Sequence, residues 1–518
     1  MAKKTSETAS EEFLKDYINC IADAGRQLHS REWWATDIAS KNRFTSRLVR
    51  LLTDEVRADD PFVGIITIRI YQAGRIVLSA MCTYWHHLQA KWVFRKKTAA
   101  LLRGTGNPRY VIKTFVFEHS FAPDGTYRDT FFGRLPQRLK AYGRSVLVYA
   151  VILGDRKKCL RLMVNCPDTD IIPAELFCSG WKVLADALHL LFFRFRPLGS
   201  VLFHGKNVAS LISGELSRTL NDIPPFQFFH YRLVAALVKK IRIETFLQTG
   251  ENNPWERMCI LALRKYAPSV RILSYQHATV PQASANMFAG SGEAKGAPLP
   301  DRLLTTGAEP KRIIEKYGEF PEDFVTASCG WRYEYLEGSE LSNVRIEKAS
   351  RRILLALDGN LEGYRMLEYV LRELAGHSEY VLKARTHPVL PFDKICRRLS
   401  PSLPGLEDVE LSTERDLKKD LWGVDAVIYW GSTVGLEALK LGLPVIHFDM
   451  GTKLSYDPLF AFDCKIKRTV TENESLIEIL KSIFSLEERQ FLEAQNTARK
   501  YLDAYFSPVS EDNFKLFL

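Results

Sequence analysis

The chain has 518 residues, of which 46% are hydrophobic and 25% charged. That length exceeds a single hydrophobic core, and the composition excludes a disordered polyelectrolyte outside the polar first dozen residues, AKKTSETASEE. A formal net charge of +10 is moderate for this size: it identifies no nucleic-acid partner and favours anionic ones, such as phosphorylated ligands or the cytoplasmic face of a membrane.

Nine cysteines occur singly, with no CxxC pair. That usage fits a reducing compartment, with thiols as small hydrophobes and neither disulfides nor zinc. No apolar h-region opens the chain, so no signal peptide is expected.

The first 104 residues are expected to be helical. PFVGIITIRIYQAGRIVLSAMCTYWHHLQAKWVFRKK (61–97) is interrupted by Arg69 and Arg75, which leaves about ten uncharged residues before His86 where a span needs about 20. It reads as an amphipathic helix whose end, with Trp85, Lys91, Trp92, Arg95, Lys96 and Lys97, carries residues that favour an interface. A peripheral membrane contact and a face packed on its own protein both fit that pattern. WKVLADALHLLFFRFRPLGSVLF (181–203) carries Asp186, Arg194 and Arg196 and reads as a helix of a domain core.

From residue 108 the grammar changes. RYVIKTFVF (109–117) reads as a strand, HSFAPDGTYRDT (119–130) as a polar loop, FFGRLPQRLKAYG as a helix with a C-cap glycine, and SVLVYAVIL (145–153) as the next strand. This is a βαβ unit. After a helical stretch, IETFLQTG (243–250), a helix opened by Pro254, and RILSYQHA (271–278) repeat it. VPQASANMFAGSGEAKGAPLP (280–300), rich in Gly and Pro, is the best candidate for an interdomain linker or mobile loop. A second alternating series follows: DRLLTTG, RRILLALDG (351–359), EYVLKARTHP (379–388), VELS, AVIYW (426–430) and PVIHFD, with helices between them. The fold class is therefore α/β, two Rossmann-like domains with an N-terminal helical region and a C-terminal helical tail. The expected boundaries are 1–104 for the helical region, 105–290 and 291–485 for the two domains, and 486–518 for a tail packing back on the first.

In an open α/β sheet ligands lie outside the carboxyl ends of the strands. Three ends in the second domain carry polar residues: Asp358-Gly359-Asn360, Lys383-Ala384-Arg385-Thr386-His387-Pro388, and Gly431-Ser432-Thr433. Gly431 permits close backbone approach, Ser432 and Thr433 cap a helix whose first N–H groups favour phosphate, and Glu437, one turn on, can accept from a ribose hydroxyl. Lys383, Arg385 and His387 would add positive charge around the same phosphates. Gly-Ser-Thr also serves as an ordinary N-cap, and His-Pro as an ordinary turn.

The run Gly-Ser-Thr, Glu437-Ala438, Gly442-Leu443-Pro444-Val445-Ile446 resembles the donor segment of GT-B glycosyltransferases, and Lys-x-Arg-x-His-Pro resembles the motif of bacterial surface-polysaccharide transferases, including Kdo- and sialyltransferase-like enzymes that use it for a CMP-sugar phosphate. ENNPWE, YQHA and HSFxxDGxYRD resemble a bacterial surface carbohydrate biosynthesis family, over roughly residues 105–505. The resemblance implies a cytoplasmic or peripheral-membrane enzyme that moves a sugar from a nucleotide-sugar, a CMP-sugar favoured, to a surface glycan or lipid-linked acceptor. It implies the donor in the second domain, at Asp358, Asn360, Lys383, Arg385, His387, Pro388, Gly431, Ser432, Thr433 and Glu437. The first domain would hold the acceptor, with Glu251, Asp129, His277, His119 and Asp124 as candidates for base or positioning roles, Glu251 and Asp129 first. One departure stands out: eight positions before Glu437, where common retaining enzymes carry a second Glu, this chain has Tyr429. Asp168-Thr169-Asp170 matches the DxD of the other large transferase class but lies in a domain that already has its βαβ grammar, so no metal and no other cofactor is expected. A polyol-phosphate transferase, a sugar-nucleotide epimerase and a non-catalytic glycan-binding protein are the rival readings.

Overall fold

The computed structural model describes residues 2–42, 46–52, 65–103, 108–338, 350–387, 389–400, 403–414 and 416–518. They form two compact units, one of Met1–His277, Ala285–Glu334 and Val509–Leu518, the other of Ala278–Ser284 and Tyr335–Pro508.

The first unit is built on seven strands: β1 (Arg109–Val116), β2 (Val146–Ile152), β3 (Ile171–Pro173), β4 (Ile243–Thr249), β5 (Arg271–Tyr275), β6 (Arg302–Thr305) and β7 (Val325–Ala327). All pair in parallel, in the order β3-β2-β1-β4-β5-β6-β7. β1 and β2 are buried along nearly their whole length, which is why they read as near-continuous apolar runs and not as alternating ones. Around the sheet lie α1 (Ala2–Leu28), α2 (Ile65–Val93), α3 (Arg95–Arg103), α4 (Gly180–Phe192), α5 (Pro225–Leu237) and α6 (Pro254–Tyr266).

Three expected boundaries change. The second domain was to open at 291, yet Arg302–Thr305 pairs with β5 and Val325–Ala327 with β6. Asp301 fixes that register: its carboxylate accepts the Ile272 N–H at 2.7 Å and ion-pairs with Arg264 at 2.6 Å. The apolar LLT run thus extends the edge of the first sheet, and the boundary moves to Tyr335. Nor is 280–300 a free linker. Met287, Phe288 and Ala289 are buried, and Gly290 lies against α1 so closely that a Cβ there would sit 2.5 Å from the Ile18 carbonyl; its small residues serve backbone-to-helix packing. The N-terminal helices belong to this unit as well, tied in by a buried Lys41–Glu293 ion pair at 2.5 Å.

The second unit carries β8 (Arg351–Ala356), β9 (Tyr380–Arg385), β10 (Glu410–Leu411), β11 (Ala426–Tyr429), β12 (Val445–Asp449) and β13 (Lys467–Thr471), again all parallel, in the order β10-β9-β8-β11-β12-β13. α7 (Leu417–Trp422), α8 (Val434–Lys440) and α9 (Glu488–Tyr505) belong to it. α9 packs on α8, with Gln495 donating to the Gly442 carbonyl at 2.9 Å. So the tail is split. Only Val509–Leu518 joins the first unit, where Phe514 and Phe517 enter a core with Tyr275 and Trp331.

Candidate functional site

Each sheet reverses its strand order once, between β1 and β4 in the first and between β8 and β11 in the second. Such a switch point opens a crevice at the carboxyl ends, because the connections on its two sides leave in opposite directions.

In the second unit three strands end level there, since Ala356 pairs with both Arg385 and Tyr429. Asp358, just past β8, accepts the Gly431 N–H at 3.0 Å. A Cβ on Gly431 would stand 3.2 Å from that carboxylate and 3.5 Å from Tyr456, so glycine is what this approach permits. A Cβ on Gly359 would meet His387 Nδ1 at 3.0 Å, which sets the imidazole against the turn between Asp358 and Asn360. His387 is exposed. Its Nδ1 accepts the Val389 N–H at 3.3 Å, so the neutral ring carries its proton on Nε2. The tips of β8, β9 and β11 therefore gather at one place. Asn360 caps its own turn, accepting from the Glu362 N–H at 3.1 Å.

At the head of α8, Ser432 Oγ accepts the Val434 N–H at 3.3 Å, and Thr433 donates its hydroxyl to Glu437 at 3.0 Å. Glu437 is buried. Pro388 lies outside the described residues.

Lys383 and Arg385 do not stand as phosphate-facing cations. They alternate along β9 and so share one face, which α7 covers. There the buried Asp420 takes Lys383 at 2.7 Å and Arg385 alongside it. Against the burial that would raise it, hydrogen bonds from Lys383, Ser412 and Arg385 hold the Asp420 carboxyl below its ordinary value. Asp420 went unremarked in the sequence. Its signal was the pair Asp416 and Asp420 in DLKKDLWG, where Asp416 caps the helix and Asp420, a turn later, faces inward. Tyr429 also turns into the core: its ring lies beneath Gly435, whose Cβ would meet it at 2.7 Å, and its hydroxyl donates to Asp457 at 2.7 Å. Lys467 pairs with the same carboxylate at 2.8 Å.

In the first unit Glu251 and His277 follow the adjacent strands β4 and β5. His277 Nε2 lies 3.4 Å from the Glu251 carboxylate, whose other oxygen accepts from Asn253 Nδ2 at 3.1 Å. Burial pushes the His277 pKa down to about 4, with Glu251 opposing, and its ring packs edge-on to Phe131 at 4.4 Å. His277 is thus neutral near pH 7, while the Glu251 side chain, 26% exposed, is the member of the pair that a substrate can reach. The turn that presents it is held by Glu256: this buried carboxylate accepts the N–H groups of Glu251 and Asn253 at 3.0 Å and the Thr249 hydroxyl at 2.8 Å. Burial, then the neighbouring Glu251 charge, raises Glu256 to about 8.

The remaining candidates lie apart from that pair. Asp129 is buried and its carboxylate is filled, accepting from the Tyr127 and Thr114 hydroxyls and the Phe131 and Phe132 N–H groups; its geometry is that of a turn anchor. Asp124 closes an exposed turn onto Thr126, and His119 stacks on Phe117 at the surface. In the DxD, Asp168 accepts from the Tyr127 N–H and Gln137, whereas Asp170 pairs with Arg109 at 3.0 Å.

No family model matches the chain and no curated protein matches it. Among solved structures it is similar to a glycosyltransferase from Rickettsia africae, at 14% identity and a TM-score of 0.45, covering 79% of this chain and 98% of that one. It is likewise similar to MurG from Acinetobacter baumannii, at 14% identity and a TM-score of 0.40, and to UDP-GlcNAc 2-epimerase from Neisseria meningitidis bound to UDP-GlcNAc, at 11% and 0.41; each covers 79% of this chain and 98% of the other.

Proposed function

We propose that the chain is a glycosyltransferase of the GT-B type, with a nucleotide-sugar held at the second sheet's switch point and Glu251 as the base that takes the proton of an acceptor hydroxyl. The observation that carries this reading is the gathering of three strand tips through the Asp358–Gly431 hydrogen bond and the Gly359–His387 contact. The donor's phosphate suits His387 Nε2–H, at the tip of β9. Asp358, an anion, would repel a phosphate and suits a donor hydroxyl instead. Since Asp420 neutralises Lys383 and Arg385, those two residues frame β9 and leave the leaving-group charge to His387.

In the reaction the acceptor oxygen bonds to the anomeric carbon as it gives up its proton to a base, and the nucleotide leaves with the glycosidic electron pair. The Lys-x-Arg-x-His-Pro strand favours a CMP-sugar as donor and a surface glycan, free or lipid-linked, as acceptor. Product analysis with a donor radiolabelled in the sugar tests the reading. Label transferred to an acceptor with release of nucleotide is expected. Label returned in an isomerised nucleotide-sugar would mean an epimerase, and recovery of unchanged donor under all acceptor conditions would mean a binding protein.

A further inference from the structure

Part of the first unit's surface is more apolar than an aqueous face requires. α2 runs unbroken for 29 residues, about 43 Å at 1.5 Å per residue. Its buried stripe consists of Ile76, Ala80, Thr83 and Ala90, packed toward α4 and α5. On the outer side Ile66, Ile70, Val77, Met81, Leu88 and Trp92 recur at intervals of four and seven, a second apolar stripe along the whole helix, and each is exposed; Ile66 is 76% and Trp92 73% accessible.

α4 repeats the pattern. It was expected to be a core helix, and one face is: Val183, Asp186, Ala187 and Leu190 are buried, with Asp186 bound to Arg232 at 2.7 and 2.9 Å. Its other face presents Trp181, 83% accessible, with Leu184, Leu188 and Phe192. The two faces meet where Tyr84 of α2 lies against Gly180, close enough that a Cβ there would overlap its ring. They make one continuous surface.

Among the described residues, the charged side chains that α2, α3 and α4 themselves expose are all of one sign. α2 and α3 contain no Asp or Glu, and the one acid of α4 is the buried Asp186. Arg75, Lys91, Arg95, Lys96 and Lys182 are exposed around the apolar stripes. Tryptophans with flanking cations, on helices that themselves expose no acid among the described residues, complement the headgroup layer of an anionic bilayer. A second protein surface would more commonly meet a polar rim of mixed sign.

We propose that α2 and α4 together form a platform that docks this protein on the surface of an anionic membrane, with α2 lying in the interfacial plane. α2 is the one helix among the described residues long and apolar enough to cross a membrane. Crossing would strip protein from its buried stripe and take Arg69, which donates to Ser217 at 2.9 and 2.7 Å, into hydrocarbon. Lying flat keeps those contacts and immerses only the outer stripe.

The test uses the full chain and vesicles of phosphatidylcholine with or without phosphatidylglycerol, read by co-sedimentation, alongside the triple variant Trp85→Ser, Trp92→Ser, Trp181→Ser. Binding at least about tenfold tighter to the anionic vesicles, weakened by high salt and reduced about tenfold or more in the triple variant with an unchanged melting temperature, is expected. Equal sedimentation of parent and variant, or none by the parent, would overturn the proposal. So would alkali-resistant insertion, the mark of a spanning helix. A parent dimer in vesicle-free solution that the triple variant abolishes would assign the face to a second copy and overturn it as well.

Discussion

At the scale of single residues, the first unit's crevice depends on a division of labour between Glu251 and His277. Glu251 is accessible and hydrogen-bonded by Asn253, and His277 is buried and neutral behind it. Glu251→Gln keeps the shape and the Asn253 contact but removes the basic oxygen, so turnover should fall about 10²- to 10⁴-fold with little change in melting temperature; steady-state rates and thermal melts on one preparation check this. His277 gives a separate, pH-dependent signature. Its pKa is about 4 in the fold against 6.5 for the free group, so between those values the unfolded chain binds a proton that the native one does not. Stability therefore drops as pH falls through that window and levels off below about 4. In His277→Gln that part of the acid limb should flatten, and a parent-like dependence of melting temperature on pH would refute the assignment.

The sequence named both residues, because strand-end position is legible from the alternation of strands and helices. What it hid were partners. Lys383 and Arg385 looked like free cations until α7 brought Asp420 against them, and Asp129 looked like a base until its own loop filled its lone pairs. Side-chain commitments of this kind follow from tertiary packing, which a local pattern does not encode.

At the scale of elements, β1 carries an exception to its apolar run. Lys113 is buried in mid-strand with its ammonium 2.9 Å from the centroid of Trp255 and no hydrogen-bond partner. Burial pushes its pKa down from 10.5 to about 7. Between those values only the unfolded chain is protonated, so the fold weakens as pH falls from about 10.5 to 7 and is indifferent to this group below that. Lys113→Met, of similar length, should stabilise the protein by on the order of 1–3 kcal/mol at pH 7, and by less near pH 10, in chemical denaturation. α7 makes the opposite case. Asp420→Ala leaves Lys383 and Arg385 without their counter-ion, and because both stay about one-fifth exposed, water compensates part of the loss; on the order of 2–4 kcal/mol of destabilisation is expected. Long buried strands were readable from their β-branched runs. The three-residue strands β3 and β7 and the charged β13, KRTVT, were not, since elements so short are held by their neighbours more than by their own pattern.

At the scale of the molecule, the alternating grammar identified two Rossmann-like domains correctly and misplaced the boundary between them. A Gly/Pro-rich stretch has the composition of a linker whether it connects domains or packs tightly, and only the pairing of β6 with β5 decides between the two. The account as a whole stands on the second sheet's switch point as a nucleotide site. Thermal-shift titration with CMP, UDP, GDP and CDP on the parent and on His387→Ala addresses it directly, because a ligand that binds only the fold raises the melting temperature by mass action. At least one nucleotide should stabilise the parent, CMP most strongly, with affinity reduced about tenfold or more in the variant as one charge-assisted hydrogen bond is lost. Melting curves unmoved by all four nucleotides, or the same affinity with and without the imidazole, would contradict it.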